Sequence, residues 1–135
     1  MRPVSLLAAA MAATLATAVV RGAGAQEAPA PLPPPPYEES LLRLSEILGS
    51  LHYLRDLCGE DDGDLWRAQM QGLIDAENAP FERRVRLADA FNRGYDSYRS
   101  VHISCTPSAG LTVERFIQEG ALLAAEIVAR YGEDG

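Results

Sequence analysis

The chain contains no lysine. All 12 of its basic residues are arginine, set against 19 acidic residues, for a formal charge of −7 over 135 residues. Nucleic acid and anionic membrane surfaces are poor partners for that balance, and solubility is favoured. A genome rich in G and C produces the same arginine bias, so the bias itself carries no functional weight. Histidine is scarce too, with only His52 and His102 present. The chain has no G-x-S-x-G elbow. A nucleophile, a base and an orienting group cannot be assembled, so the sequence reads as non-enzymatic, with no cofactor implied. Cysteine occurs only as Cys58 and Cys105, and neither stands directly after the N-terminal apolar run, which argues against a bacterial lipoprotein anchor.

What is present at the start of the chain is a leader pattern. Arg2 precedes an uncharged, Ala- and Leu-rich run from Val4 to Val20, and Ala23-Gly24-Ala25 fits a small-x-small cleavage site. This predicts a signal peptide over residues 1–25 and a periplasmic or secreted product, with no membrane insertion after cleavage. A permanent anchor needs about 20 strongly apolar residues, and this run is shorter and weaker. Removing Arg2 and Arg21, with no acid lost, leaves 10 basic and 19 acidic residues and a charge of −9. Residues 26–36 read Q-E-A-P-A-P-L-P-P-P-P, a linker suited to extended polyproline and unable to form helix.

Residues 37–132 carry helical periodicity throughout. Helix one is expected over Glu38–Cys58, with Leu41, Leu44, Ile47, Leu48, Leu51 and Leu54 on its seam. A second helix is expected over Leu65–Glu77, capped by Asp64 and burying Trp66, Met70, Leu73 and Ile74. A third opens at Pro80. Phe81, Ala88, Tyr95 and His102 repeat at seven, and Phe91, Tyr98 and Cys105 form a parallel series, which predicts one helix reaching to Cys105. T-P-S-A-G-L then reads as a turn, with Thr112 capping a fourth helix to about Tyr131. Gly120 lies inside the stripe of that helix. It costs about 1 kcal/mol relative to alanine, which a close helix crossing or a ligand notch would explain.

The fold class that follows is all-α, a small up-down-up-down bundle of about four helices with one disulfide. Two cysteines in an exported chain usually pair, against the alternative of free or metal-binding thiols. In this topology helices one and three run parallel, so Cys58 and Cys105 fall at the same end. Closing the loop between Cys58 and Cys105 contributes about 4 kcal/mol in the chain-entropy model.

Y-E-E-S-L-L-R-L-S-E-I-L-G-S-L-H-Y-L-R-D-L-C-G, then W-R-A-Q-M, F-N-R-G-Y-D-S-Y and C-T with F-I-Q-E-G, resemble a family of short, exported alphaproteobacterial proteins of unknown function with two well-separated cysteines. The resemblance runs from Tyr37 to Tyr131. It implies a disulfide-bonded envelope protein and no particular reaction.

Three constellations bear on function. His52 and His102, with Asp56 and Asp96, would suit a transition metal, but a surface His52–Asp56 pair and a seam position for His102 account for them more simply. Glu60-Asp61-Asp62-Gly63-Asp64 has the composition of a calcium loop without its ligand spacing, and reads as a solvated turn. Trp66, Phe91, Tyr95, Tyr98 and His102 form a candidate binding face, since tyrosine and tryptophan suit interfaces. The expectation is a protein- or peptide-binding module of the cell envelope. A periplasmic chaperone or stress-protective protein is the second class, and a metal or small-ligand carrier the third.

Overall fold

A computed structural model describes Gly22, Gly24 and residues 29–132. The signal peptide expected over residues 1–25 therefore lies almost wholly outside the described residues. Residues 29–35 carry no regular secondary structure. The helical unit begins at Pro33. It contains α1 (Glu38–Leu57), α2 (Gly63–Glu77), α3 (Phe81–Arg99) and α4 (Pro107–Tyr131), with no strand among the described residues. The expected all-α, four-helix architecture with one disulfide is what forms, and Cys58 and Cys105 are bonded with their Cα atoms 4.9 Å apart.

Helix α1 is the centre of the bundle and packs on α2, α3 and α4. Its sequence explains why. Ile47, Leu48, Gly49, Ser50 and Leu51 are consecutive and all buried, so they cover every side of the helix. A helix apolar or small all round must be enclosed. The two buried serines do not break this rule, because Ser45 and Ser50 donate back to Leu41 O at 2.8 Å and Glu46 O at 2.9 Å. Direction follows from the contacts at the two ends. Glu38 pairs with Arg83 near the starts of α1 and α3, and Cys58 meets Cys105 just past their ends, so these helices run parallel. Tyr37 meets Tyr131 while Arg43 pairs with Glu119, so α4 runs antiparallel to α1.

The tightest packing is between α1 and α3. A Cβ added to Gly49 would lie 2.7 Å from the Phe91 carbonyl carbon and closer still to its oxygen. A Cβ on Gly94 would lie 2.9 Å from the Glu46 carbonyl carbon and the Ser50 hydroxyl. Backbone therefore touches backbone in both directions, and only glycine fits at either place. Gly120, the glycine that stood out in the sequence, is not a close crossing. A Cβ there would make ordinary contact at 3.5 Å with Ile47 and Leu44.

This crossing sets the rotation of α3 and corrects its expected face. The buried positions are Arg83, Leu87, Ala90 and Gly94, while Phe81, the expected first seam residue, is 67 % exposed. Helix α3 also stops at Arg99, short of Cys105. Ser100 turns its hydroxyl onto Ser97 O at 2.9 Å, and the amides of Val101 and His102 close on Tyr98 O. His102 and Cys105 thus lie on a connecting loop, held by the Tyr53 hydroxyl donating to the His102 carbonyl.

Two helix starts differ as well. Helix α4 begins at Pro107, so T-P-S-A-G-L is its first turn. Thr106 is the N-cap and accepts from Ala109 N at 3.2 Å, whereas Thr112 lies inside the helix and donates to Ser108 O. A threonine cap followed by proline at the first position is a strong helix start. Helix α2 begins at Gly63 with Asp62 before it, which places Asp64 in the first turn instead of at the cap. Asp62 makes no capping bond because its carboxylate is engaged elsewhere.

The other end of α1 is closed by charge. Glu38 and Arg83 are both buried, and their Oε2–Nε distance is 2.6 Å. Arg83 also bonds Glu77, which in turn accepts from the Tyr37 hydroxyl at 3.3 Å. One guanidinium thus joins the start of α1, the end of α2 and the start of α3. Truncating one partner of such a pair strands the other without compensation.

Two outcomes are expected in urea or thermal unfolding. Gly49→Ala and Gly94→Ala should each destabilise by about 1–3 kcal/mol or more through overpacking, whereas Gly72→Ala, with open space at its Cβ, should stabilise by up to about 1 kcal/mol. Arg83→Ala should cost about 3–5 kcal/mol, well above the cost of losing an exposed pair such as Arg130–Glu126.

Candidate functional site

Helices α2 and α4 both pack on α1 and not on each other. Between them lies a groove of about 670 Å³. Its floor is Leu44, Ile47, Leu48 and Leu51 of α1. Trp66 and Leu73 rise on the α2 side, and Phe116 and Ile117 on the α4 side. No charged residue lines it, and Gln69 is its one polar amide. Both rims are built from small residues at helical spacing, Ala68 and Gly72 on α2, and Gly120, Ala121 and Ala124 on α4. Leu65 and Ile117 stay 48 % and 43 % exposed at the edges.

Trp66 is held in this wall by a carboxylate. Its indole Nε1 donates to Asp62 Oδ1 at 3.1 Å, and Arg55 Nε donates to Asp62 Oδ2 at 2.8 Å. The Arg55 guanidinium, followed by the bond from Trp66, holds the Asp62 carboxyl below the usual carboxylate range. One acidic residue therefore connects the end of α1 to the groove's aromatic wall. On the α4 side Arg43 binds Glu119 through two bonds of 2.7 and 3.0 Å and lies over the Phe116 ring at 5.5 Å. The Arg43 bonds lower the Glu119 carboxyl in the same way.

A second, smaller cavity of about 390 Å³ opens between α2 and α3. Phe91 and Tyr95 line it together with His52, whose ring centre is 5.8 and 5.4 Å from theirs. Met70 and Ile74 of α2 complete its apolar part, and Arg67 supplies its one charge.

The five residues of the expected face are thus divided. Trp66 lines the large groove, while Phe91 and Tyr95 line the small cavity on the far side of α2. Tyr98 and His102 line neither. They stack on each other at 5.9 Å, and Tyr98 meets Phe116 edge-on at 5.4 Å. His52 makes no hydrogen bond to Asp56; its Nδ1 is buried without a partner. Among the described residues no three histidine, cysteine or acidic side chains are grouped to hold a metal ion. Of the α4 wall the sequence reading singled out only Gly120, as a candidate ligand notch, although a wider signal existed. From Gly120 to Ala129 the chain reads G-A-L-L-A-A-E-I-V-A, with Glu126 its single charge. That stretch is more apolar than one buried face requires.

The model of a family described as "Protein of unknown function (DUF2385)" matches residues 36–131, and the chain belongs to that family. No curated protein and no solved structure matches the chain.

The Asp62 link has a pH signature. Its folded pKa lies below the unfolded value near 3.9, so its stabilisation is complete above that value and is lost as pH falls through the folded pKa. Trp66 is the only tryptophan, so its emission should shift in that acidic window. Asp62→Asn should show an altered emission already at neutral pH.

Proposed function

We propose that this protein is an exported, non-enzymatic helical module of the cell envelope that binds an amphipathic helix of another envelope protein in the α2–α4 groove. One observation carries the reading. The central helix lies under an uncharged groove whose two walls do not meet, with Leu65 and Ile117 left 48 % and 43 % exposed at its edges. Small residues along both rims allow a helix backbone to approach closely, as Gly49 and Gly94 do inside the bundle. Helix-in-groove recognition uses an apolar trough of this kind, read by anchors at i, i+3, i+4 and i+7.

The compartment is supported from separate directions. A disulfide suits an oxidising space. The leader pattern through Ala25 and the likeness to short exported alphaproteobacterial proteins point the same way. No described helix is long and apolar enough to cross a membrane. The acidic charge argues against nucleic acid as the ligand.

The test is selection from a display library of helical peptides, with Trp66 emission as the readout. Selected peptides should be amphipathic, should move the Trp66 emission, and should lose at least tenfold in affinity on Ala121→Arg, which puts a charge on the α4 rim. Peptides that bind without touching Trp66 emission, or that tolerate Ala121→Arg, would place recognition elsewhere. Broad protection of unrelated unfolded clients would instead favour a chaperone.

A further inference from the structure

We propose that the cavity between α2 and α3 is a second binding site, for a small molecule with a flat apolar body and a single carboxylate. Its volume of about 390 Å³ falls in the range of small-molecule sites, roughly 300–1,000 Å³. Its chemistry is unlike that of the large groove. Phe91, Tyr95 and the His52 ring supply flat faces, and Met70 and Ile74 supply apolar surface. Aromatic rings stack on planar ligands and on one another at such separations.

The charge is the decisive part. Acidic residues outnumber basic ones 19 to 12 in this chain, yet none lines the cavity and Arg67 does. Arg43, Arg55 and Arg83 are each taken up by carboxylates of the protein. Arg67, like Arg84, Arg93 and Arg115, makes no ion pair among the described residues, and of these four it is the one that lines the cavity. A guanidinium presents a planar fork of donors matched to a carboxylate. A phosphate ester would call for more than one cation, and the lining holds only one.

The second constraint is shape. The His52 ring lies between those of Phe91 and Tyr95, at centre distances of 5.8 and 5.4 Å, so the wall beside Arg67 is aromatic. The site therefore offers one cation and flat apolar walls. This inference does not depend on the groove reading, because the two cavities lie on opposite sides of α2.

The experiment is an NMR titration of the full chain with phenylacetate and its uncharged amide, phenylacetamide, following the methyl groups of Met70 and Ile74. Phenylacetate should shift both methyls saturably and bind about tenfold more tightly than the amide. Arg67→Gln, a change at an exposed side chain checked for native circular dichroism, should abolish that preference. Leu122→Ala, on the exposed face of α4, should leave it intact. The proposal is overturned if the two probes bind equally to the unsubstituted protein, if Arg67→Gln keeps the preference, or if neither probe moves these methyls at about 10 mM.

Discussion

The contact between the backbones of α1 and α3 governs the rest of the structure. With no side chain between them at Gly49 and Gly94, the helices sit at a separation and rotation that permit almost no adjustment. That rotation turns Leu87 and Ala90 fully inward, both at 0 % exposure. It presents Phe91 and Tyr95 sideways toward α2 and leaves Phe81 in solvent. It also brings the helix ends into register, so that Arg83 reaches Glu38 at one end and Cys105 reaches Cys58 at the other. A leucine at either glycine would force the helices apart by the width of a side chain, and neither end closure would then meet.

A second consequence is that the layers are unequal. Helix α3 fits α1 closely, while α2 and α4 meet α1 through larger side chains and do not meet each other. Close packing on one side thus coexists with open space on the other. Both cavities are bounded by α2, which is the shortest of the four helices at 15 residues. It is pinned at its start through Asp62 and at its end through Glu77, two carboxylates that each answer to an arginine on another element. Between those pins its contacts are with a few large side chains, Trp66 and Met70 above all.

Much of this was legible in the residues. Four helices, their up-down order and the pairing of Cys58 with Cys105 followed from heptad spacing and cysteine placement. What was not legible depended on contacts distant in sequence. Gly49 lies in an apolar seam where a glycine signals little by itself, and its meaning appears only when Phe91 is placed against it. Continuation of the seven-residue pattern to His102 and Cys105 was coincidental, since the pattern survives a helix end that Ser100 imposes. Thr106-Pro107 was a readable start that the nearby Gly110 obscured. The aromatic residues were recognised, but their grouping was not, because they come from α2, α3 and the loop after it, and only the packing of these elements decides which share a surface.

The placement of α1 at the centre has a consequence for the order in which the domain is completed. Among the described helices it is the first made, and the surfaces it needs are supplied by the three after it, the last by α4. Tyr37 finds Tyr131 across almost the entire domain. A nascent chain therefore carries its core helix incompletely covered until α4 is made, and a product truncated within α4 would present that face to whatever binds exposed hydrophobic chains. Docking of α4 completes the cover of α1. The disulfide cannot stand in for it, since Cys105 is already made before α4 exists.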